Sequence, residues 1–345
     1  MVEGANKPAR RHMTVARAAR MLLSARIRRT HRDRGRKRAE MGGEAEWIAV
    51  DWGTTKLRVW GVDADGRPVF KRSSDRGMAR LRPEEFPAAL DALAAEASGV
   101  PALICGMAGA RQGWIEAPYL DCPADLGTLG AAAVAATDAA GRMRGHIVPG
   151  VCRRQPGHED VLRGEETQLL GLSVLRPGFA GLVCMPGTHS KWAVVEGTTL
   201  ERFSTAMTGE LFEVLSSQTV LRHSIEGETM GPATEDGIAE GLAAGLARPE
   251  RLAFLLFRTR AAALLSKRGP DWCSGYLSGL LVGAEVAALR PEIGTGPVPV
   301  LGSPRLVRLY AAALSQVGAT PDPVDAIGAT LAGLAAVHKQ IYVKR

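Results

Sequence analysis

Residues 47–60 read WIAVDWGTTKLRVW. An apolar run ends in one Asp, a Gly-Thr-Thr-Lys turn follows, and a second apolar run begins. The alternation predicts strands at Trp47–Val50 and Leu57–Val62 joined by a turn. The residue types in that turn have a definite use. Gly53 lets a backbone approach an anion, and the amides and hydroxyls of Thr54 and Thr55 can cradle phosphate oxygens. Lys56 adds charge. Asp51, at the strand end, suits a magnesium ion held through water. Alone, the turn reads equally well as a hairpin held by Asp and Thr side chains.

A second stretch, LVCMPGTHSKW at 182–192, repeats the arrangement. A strand at Gly181–Met185 runs into Gly187, Thr188, His189, Ser190 and Lys191. A third strand follows each pair, at Pro68–Arg72 and at Leu200–Ser204. Asp63-Ala64-Asp65-Gly66 and Gly197-Thr198 make the hairpin turns. Beyond the first unit the pattern predicts a helix from Pro83 to Ser98, strands at Pro101–Cys105 and His146–Val148, and a helix over Glu165–Leu175. Beyond the second it predicts helices over Thr208–Ser217, Glu235–Ala247, Glu250–Ser266 and Asp271–Leu289. A strand at Val298–Leu301, a helix at Pro304–Gln316 and a last helix at Asp325–Lys339 complete the chain. A strand–turn–strand–strand unit followed by helices therefore occurs twice, which predicts two similar α/β domains around a cleft. The expected domains are 46–178 and 179–345, with the last helix reaching back to the first. Two Gly-Thr turns facing each other would clamp a triphosphate. Gly187, Thr188 and Ser190 would grip phosphate, and His189 and Lys191 would neutralise charge or reach the acceptor. Gly302 and Ser303, where a strand meets a helix N-terminus, suit a nucleotide.

Charge and cysteines narrow the class. Residues 1–45 hold 13 Lys and Arg against 4 Asp and Glu, whereas the remainder holds 30 against 32. The net charge of +7 therefore belongs to the leader. Met13–Ile27 has the pattern of a basic amphipathic helix, which suits a membrane surface, nucleic acid or a targeting role. High charge with little apolar surface favours instead a disordered extension ahead of a start at Met41. The five cysteines form no CxxC pair. They read as reduced thiols of a cytoplasmic protein, with no zinc site. No membrane span and no nucleic-acid partner is expected, and a homodimer is left open.

The motif order resembles the actin-, hexokinase- and Hsp70-like ATPases. More narrowly, the chain resembles the 2-dehydro-3-deoxygalactonokinase (2-keto-3-deoxygalactonate kinase) family. The likeness is carried by AVDWGTTKLRVW (49–60), GMAGARQGWIEAPYL (106–120), RGEETQLLG (163–171), MPGTHSKW (185–192), TGEL (208–211), LSGLLVGAEVA (277–287) and VLGSPRLVRLY (300–310). It departs from the wider fold at Met185-Pro186, where the second loop often has an Asp. The resemblance implies the actin-like/ribonuclease H-like ATPase fold. It also implies transfer of phosphate from ATP, with Mg²⁺, to the 6-hydroxyl of 2-dehydro-3-deoxy-D-galactonate, a step in galactonate catabolism. Other readings are a kinase of the same fold for another sugar or sugar acid, and a sugar-sensing regulator that binds DNA through the leader.

A sugar acid needs a cation, polar partners and a base. Arg111, Gln112 and Trp114 lie on a loop after a strand, where ligands of α/β sheets bind. Arg111 either pairs with the carboxylate or is a surface arginine. Glu165 and Glu166 open a helix, either complementing its dipole or accepting the hydroxyl proton. Glu166 is preferred over Glu165, and Glu210 is a further candidate at the cleft.

Overall fold

The computed structural model describes residues 44–97, 99–226 and 231–343. The helix expected over Met13–Ile27, the start at Met41 and nearly all of the 1–45 extension lie outside the described residues.

Three strands open the chain: β1 (Trp47–Trp52), β2 (Leu57–Val62) and β3 (Pro68–Ser74). Helix α1 (Phe86–Ala94) leads to β4 (Ala102–Gly106). Short strands follow: β5 (Tyr119–Asp121), β6 (Ala124–Asp125), β7 (Val134–Thr137), β8 (Met143–Ile147), β9 (Gly150–Arg153) and β10 (Asp160–Leu162). Helix α2 (Glu165–Leu175) precedes a second triplet, β11 (Ala180–Met185), β12 (Ser190–Glu196) and β13 (Thr199–Ala206). The helical region holds α3 (Thr208–Gln218), α4 (Arg222–Ile225), α5 (Pro232–Ala247), α6 (Leu252–Leu265) and α7 (Pro270–Ala288). The chain closes with β14 (Pro297–Leu301), α8 (Pro304–Gln316), β15 (Thr320–Val324) and α9 (Ala326–Tyr342).

The two triplets build equivalent sheets. The first has the order β3-β2-β1-β4-β8-β7 and the second β15-β14-β11-β12-β13-β6. In each, the first strand pairs antiparallel with the second and parallel with the strand that follows a crossover. Strands numbered within each unit thus run 3-2-1-4-5 in both sheets. The repeat read from the two Gly-Thr turns is a repeat of strand order. Carboxyl ends of the parallel strands carry both turns, the 106–119 loop and Gly302, so the candidate residues share one edge of each sheet.

Helices α2 and α9 join the two sheets through a common core that includes Ala49, Leu103, Leu169, Val183, Ala193 and Leu334. They cross backbone to backbone. A Cβ on Gly171 would fall 1.8 Å from the Ala329 carbonyl oxygen, and one on Gly333 would fall 1.9 Å from that of Thr167. The same device repeats every fourth residue between α5 and α7. There Gly237, Gly241 and Gly245 face Gly275, Gly279 and Gly283. The high glycine content thus serves close helix packing as well as turns.

The helix expected over 83–98 is interrupted. Residues 83–85 and 95–97 are 3-10 turns flanking α1, and Ser98 lies outside the described residues. Strands β5, β6, β7, β9, β10 and β15 had no counterpart in the sequence pattern. They are two to five residues long, too short for alternation to register. β15 reads TPDPV and pairs only with β14, at the sheet edge, where proline is tolerated. All five cysteines are free, four of them buried. No helix among the described residues is long and apolar enough to cross a membrane.

Candidate functional site

The first loop is held from behind. Gly53 donates to the Lys56 carbonyl at 2.8 Å, and Met78 and Ala79 donate to the carbonyls of Gly53 and Thr54 at 3.0 Å. Carbonyls are thus consumed by protein, while the Thr54 and Thr55 amides have no acceptor among the described residues. Thr54 and Thr55 are exposed. This is an anion-ready turn. Lys56 turns aside to Asp75 at 2.7 Å, on the surface.

Asp51 sits in register with Arg58 of β2 and accepts its guanidinium at 2.7 Å through Oδ2. Its side chain keeps 18% exposure, and Oδ1 has no partner among the described residues. Burial raises its pKa above the usual carboxylate value, and Arg58 opposes that rise. Nearby Cys105 is held well above its ordinary thiol range by burial, then by the charges of Asp51 and Glu166. The three groups therefore share one neighbourhood at the sheet edge.

Glu165 and Glu166 open α2 but face different surroundings. Glu166 is fully buried. Its Oε2 accepts the Gly164 amide at 2.6 Å and its Oε1 the Thr167 hydroxyl at 2.9 Å. Burial, and then the charge of Glu165, push its pKa up to about 7. Glu165 keeps 26% side-chain exposure and stands 3.5 Å from the Lys191 ammonium. That contact joins β12 of one sheet to the helix that begins after the other. Both Glu166 oxygens are thus engaged at the helix start, while Glu165 accepts the Arg163 amide at 3.0 Å through Oε2 and turns Oε1 toward Lys191.

The second loop repeats the first in its backbone. The amides of Gly187 and Thr188 have no acceptor among the described residues, and the Thr188 carbonyl accepts the Glu210 amide at 3.0 Å. Gly209 lies flat on this loop; a Cβ there would fall 2.4 Å from the Gly187 oxygen. His189 pairs with Glu210, both part-exposed. Gly302 packs beside Pro186, and Ser303 caps α8 with its hydroxyl unused. Ser190 is different. It is fully buried and shares a 2.7 Å hydrogen bond with the Tyr310 hydroxyl, which takes it off the exposed surface of the loop.

That contact belongs to a polar cluster that the sequence did not reveal. Glu285 of α7 accepts the Trp192 indole at 2.6 Å and the Tyr310 hydroxyl at 2.7 Å. Ser190 and Thr208 also hydrogen-bond to it, against a pKa raised by burial. One carboxylate thus ties β12, α3, α7 and α8 together behind the second loop. The available signal was a lone acid inside the otherwise apolar run LSGLLVGAEVA.

On the 106–119 loop, Arg111 and Gln112 are exposed, and Arg111 stands 3.6 Å from Glu116, its one charged partner among the described residues. Trp114 does not face that opening. It packs with Trp52 and Phe86 in the core, and its indole donates to the Thr137 carbonyl at 2.9 Å. Arg163 was missed as well. Its guanidinium lies over the Tyr119 ring at 4.3 Å and donates to the Ala117 carbonyl at 2.8 Å, pinning the loop to the start of α2.

Residues 51–337 match the sequence profile of the 2-keto-3-deoxy-galactonokinase family. The chain belongs to that family. A relative in Escherichia coli (strain K12), named 2-dehydro-3-deoxygalactonokinase, is 34% identical over 298 residues, covering 85% of this chain and 97% of the relative. A Rhizobium meliloti (strain 1021) protein, named for the same activity, is 39% identical over 300 residues, covering 86% and 97%. A crystal structure from Sinorhizobium meliloti, likewise named for a 2-dehydro-3-deoxygalactonokinase, is 39% identical and superposes with a TM-score of 0.78. It covers 87% of this chain and 98% of its own.

Proposed function

We propose that the chain is an ATP-dependent carbohydrate kinase that phosphorylates the 6-hydroxyl of 2-dehydro-3-deoxy-D-galactonate. The observation that carries this reading is the pair of anion-ready turns at equivalent positions in two sheets of equal strand order, with Lys191, beside the second turn, 3.5 Å from Glu165. Family membership supplies the substrate. The duplicated 3-2-1-4-5 order supports the two-domain actin-like fold, with the nucleotide between the sheets.

In this reading Gly53, Thr54 and Thr55 hold phosphate from one side, and Gly187 and Thr188 from the other. Gly302 and Ser303 lie along the adenosine. The site fits a magnesium ion. Asp51 offers a hard oxygen at Oδ1, and the described residues contain no group of three or more His, Cys, Asp or Glu able to hold a metal alone. One carboxylate plus phosphate oxygens is the usual magnesium shell. When bound, magnesium neutralises phosphate charge. The protein positions the reactants. Glu165 accepts the 6-hydroxyl proton as that oxygen bonds to the γ-phosphorus, the bond to the β–γ bridging oxygen breaks, and ADP leaves. Lys191 neutralises charge on the transferring group, with His189 and Glu210 bordering it. Arg111 and Gln112 take the substrate carboxylate; Trp114 and Ser190 drop out of the contact set, and Lys56 contributes only after leaving Asp75.

The test is ADP release with ATP and Mg²⁺ over 2-dehydro-3-deoxygalactonate, 2-dehydro-3-deoxygluconate, galactose and glucose. Turnover confined to the galactonate derivative is expected; turnover only on another acceptor would overturn the substrate assignment. A planar guanidinium binds carboxylate through two parallel hydrogen bonds that an ammonium cannot reproduce. Arg111→Lys should therefore raise the sugar-acid KM about tenfold or more, a loss on the order of 1.4 kcal/mol, and leave the KM for ATP unchanged. An unaltered sugar-acid KM would remove Arg111 from the site.

A further inference from the structure

Helix α6, LAFLLFRTRAAALL, is apolar on two faces. Leu252, Leu255, Leu256, Ala262 and Ala263 pack inward against the core beneath α7, and the cations lie along its flanks. Arg258 lies over the Tyr276 ring at 4.9 Å and bonds Glu240 at 3.1 Å. Just past the helix, Arg268 also bonds Glu240 at 3.1 Å and lies over Trp272 at 4.9 Å. Arg260 reaches Ser224. The outward stripe is apolar too: Phe254, Phe257, Leu264 and Leu265 are 72%, 60%, 60% and 84% exposed, with Arg251 over the Phe254 ring at 5.3 Å at its edge. These positions recur at intervals of three, seven and one, with the small Ala261 between, so they form one face.

We infer that this face is the interface between two copies of the chain. The stripe alone exposes on the order of 600 Å², where a standard interface takes about 800 Å² per partner and a lone monomer rarely leaves so much apolar surface in one patch. The stripe is also self-complementary. Two α6 helices crossing antiparallel about a two-fold axis midway between Phe257 and Ala261 bring Phe254 of one copy over Leu265 of the other. The same operation sets Glu250, just before α6, beside Lys267, just after it in the other copy. Both are exposed and have no partner among the described residues. A two-fold axis makes that complementary pair twice. No proposed site residue lies on α6, so the site stays complete within each copy.

Sedimentation equilibrium of the full chain tests this. The expected mass is twice the 36.5 kDa of one chain. Phe257→Asp, an unpaired charge in the centre of the patch, should weaken association about a hundredfold or more and leave kcat unchanged. Glu250→Lys and Lys267→Glu should each weaken it several-fold, and the double variant should restore it. If Phe257→Asp fails to fold, the charge-reversal series decides. A monomer at tens of micromolar, or a dimer indifferent to both sets of substitutions, would overturn the inference.

Discussion

Asp51→Asn is expected to lower kcat by about a thousandfold, equivalent to roughly 4 kcal/mol of barrier, while the protein keeps its fold and still binds ATP. The substitution changes charge and little else. Asn has the shape of Asp, and its carbonyl oxygen can still accept the Arg58 guanidinium that now bonds Oδ2 at 2.7 Å. What is lost is the negative oxygen at the end of β1, the group that in the proposed site organises magnesium beside the first phosphate loop. Phosphoryl transfer depends almost wholly on such positioning and charge neutralisation. Removing the anchor should therefore cost rate far more than affinity.

Two measurements separate this from damage to the fold. The far-ultraviolet spectrum and melting temperature should match the wild type, or improve slightly, since burial already works against the Asp51 charge. Titration with ATP should show that magnesium no longer tightens nucleotide binding. Retained kcat would remove Asp51 from the metal site and direct attention to Glu165.

The Gly-Thr turns, the helix over Glu165–Leu175 and the helix over Pro304–Gln316 were legible because local chemistry dictates them. Glycine and threonine mark turns, proline opens a helix, and apolar spacing sets its length. The same logic misplaced Trp114. An indole on a glycine-rich loop reads as a ligand contact until Trp52 and Phe86, which fold to meet it, are in view. Ser190 was misplaced for a related reason, since its partner Tyr310 is 120 residues away. Glu285, 93 residues from Trp192, illustrates the general difficulty. A buried carboxylate is defined by the donors that tertiary structure gathers around it, and sequence spacing carries none of that information.

The pair Glu165 and Glu166 is where spacing was least informative and where substitution should be most decisive. Glu165→Gln should lower kcat by about 10²- to 10⁴-fold, the usual contribution of a positioned base, with the KM for ATP unchanged. Glu166→Gln should keep most of the activity and act on stability. Burial raises the Glu166 pKa from 4.5 to about 7, so its ionisation is harder in the folded chain than in the unfolded one. Its contribution is fully present below pH 4.5 and is lost as pH rises through about 7. Above that range the buried charge costs on the order of 3 kcal/mol, which the amide avoids. Wild type and Glu166→Gln should therefore melt alike near pH 4 and diverge by pH 8, with the variant the more stable. Asp51 and Glu285, also raised by burial, tilt both proteins equally and cancel in the comparison. The opposite pattern would exchange the roles of the two acids: a Glu166→Gln enzyme that loses kcat and with it an ionisation near neutral pH, beside an active Glu165→Gln. In that case the helix start must open during turnover to free the Glu166 carboxylate from the Gly164 amide and the Thr167 hydroxyl.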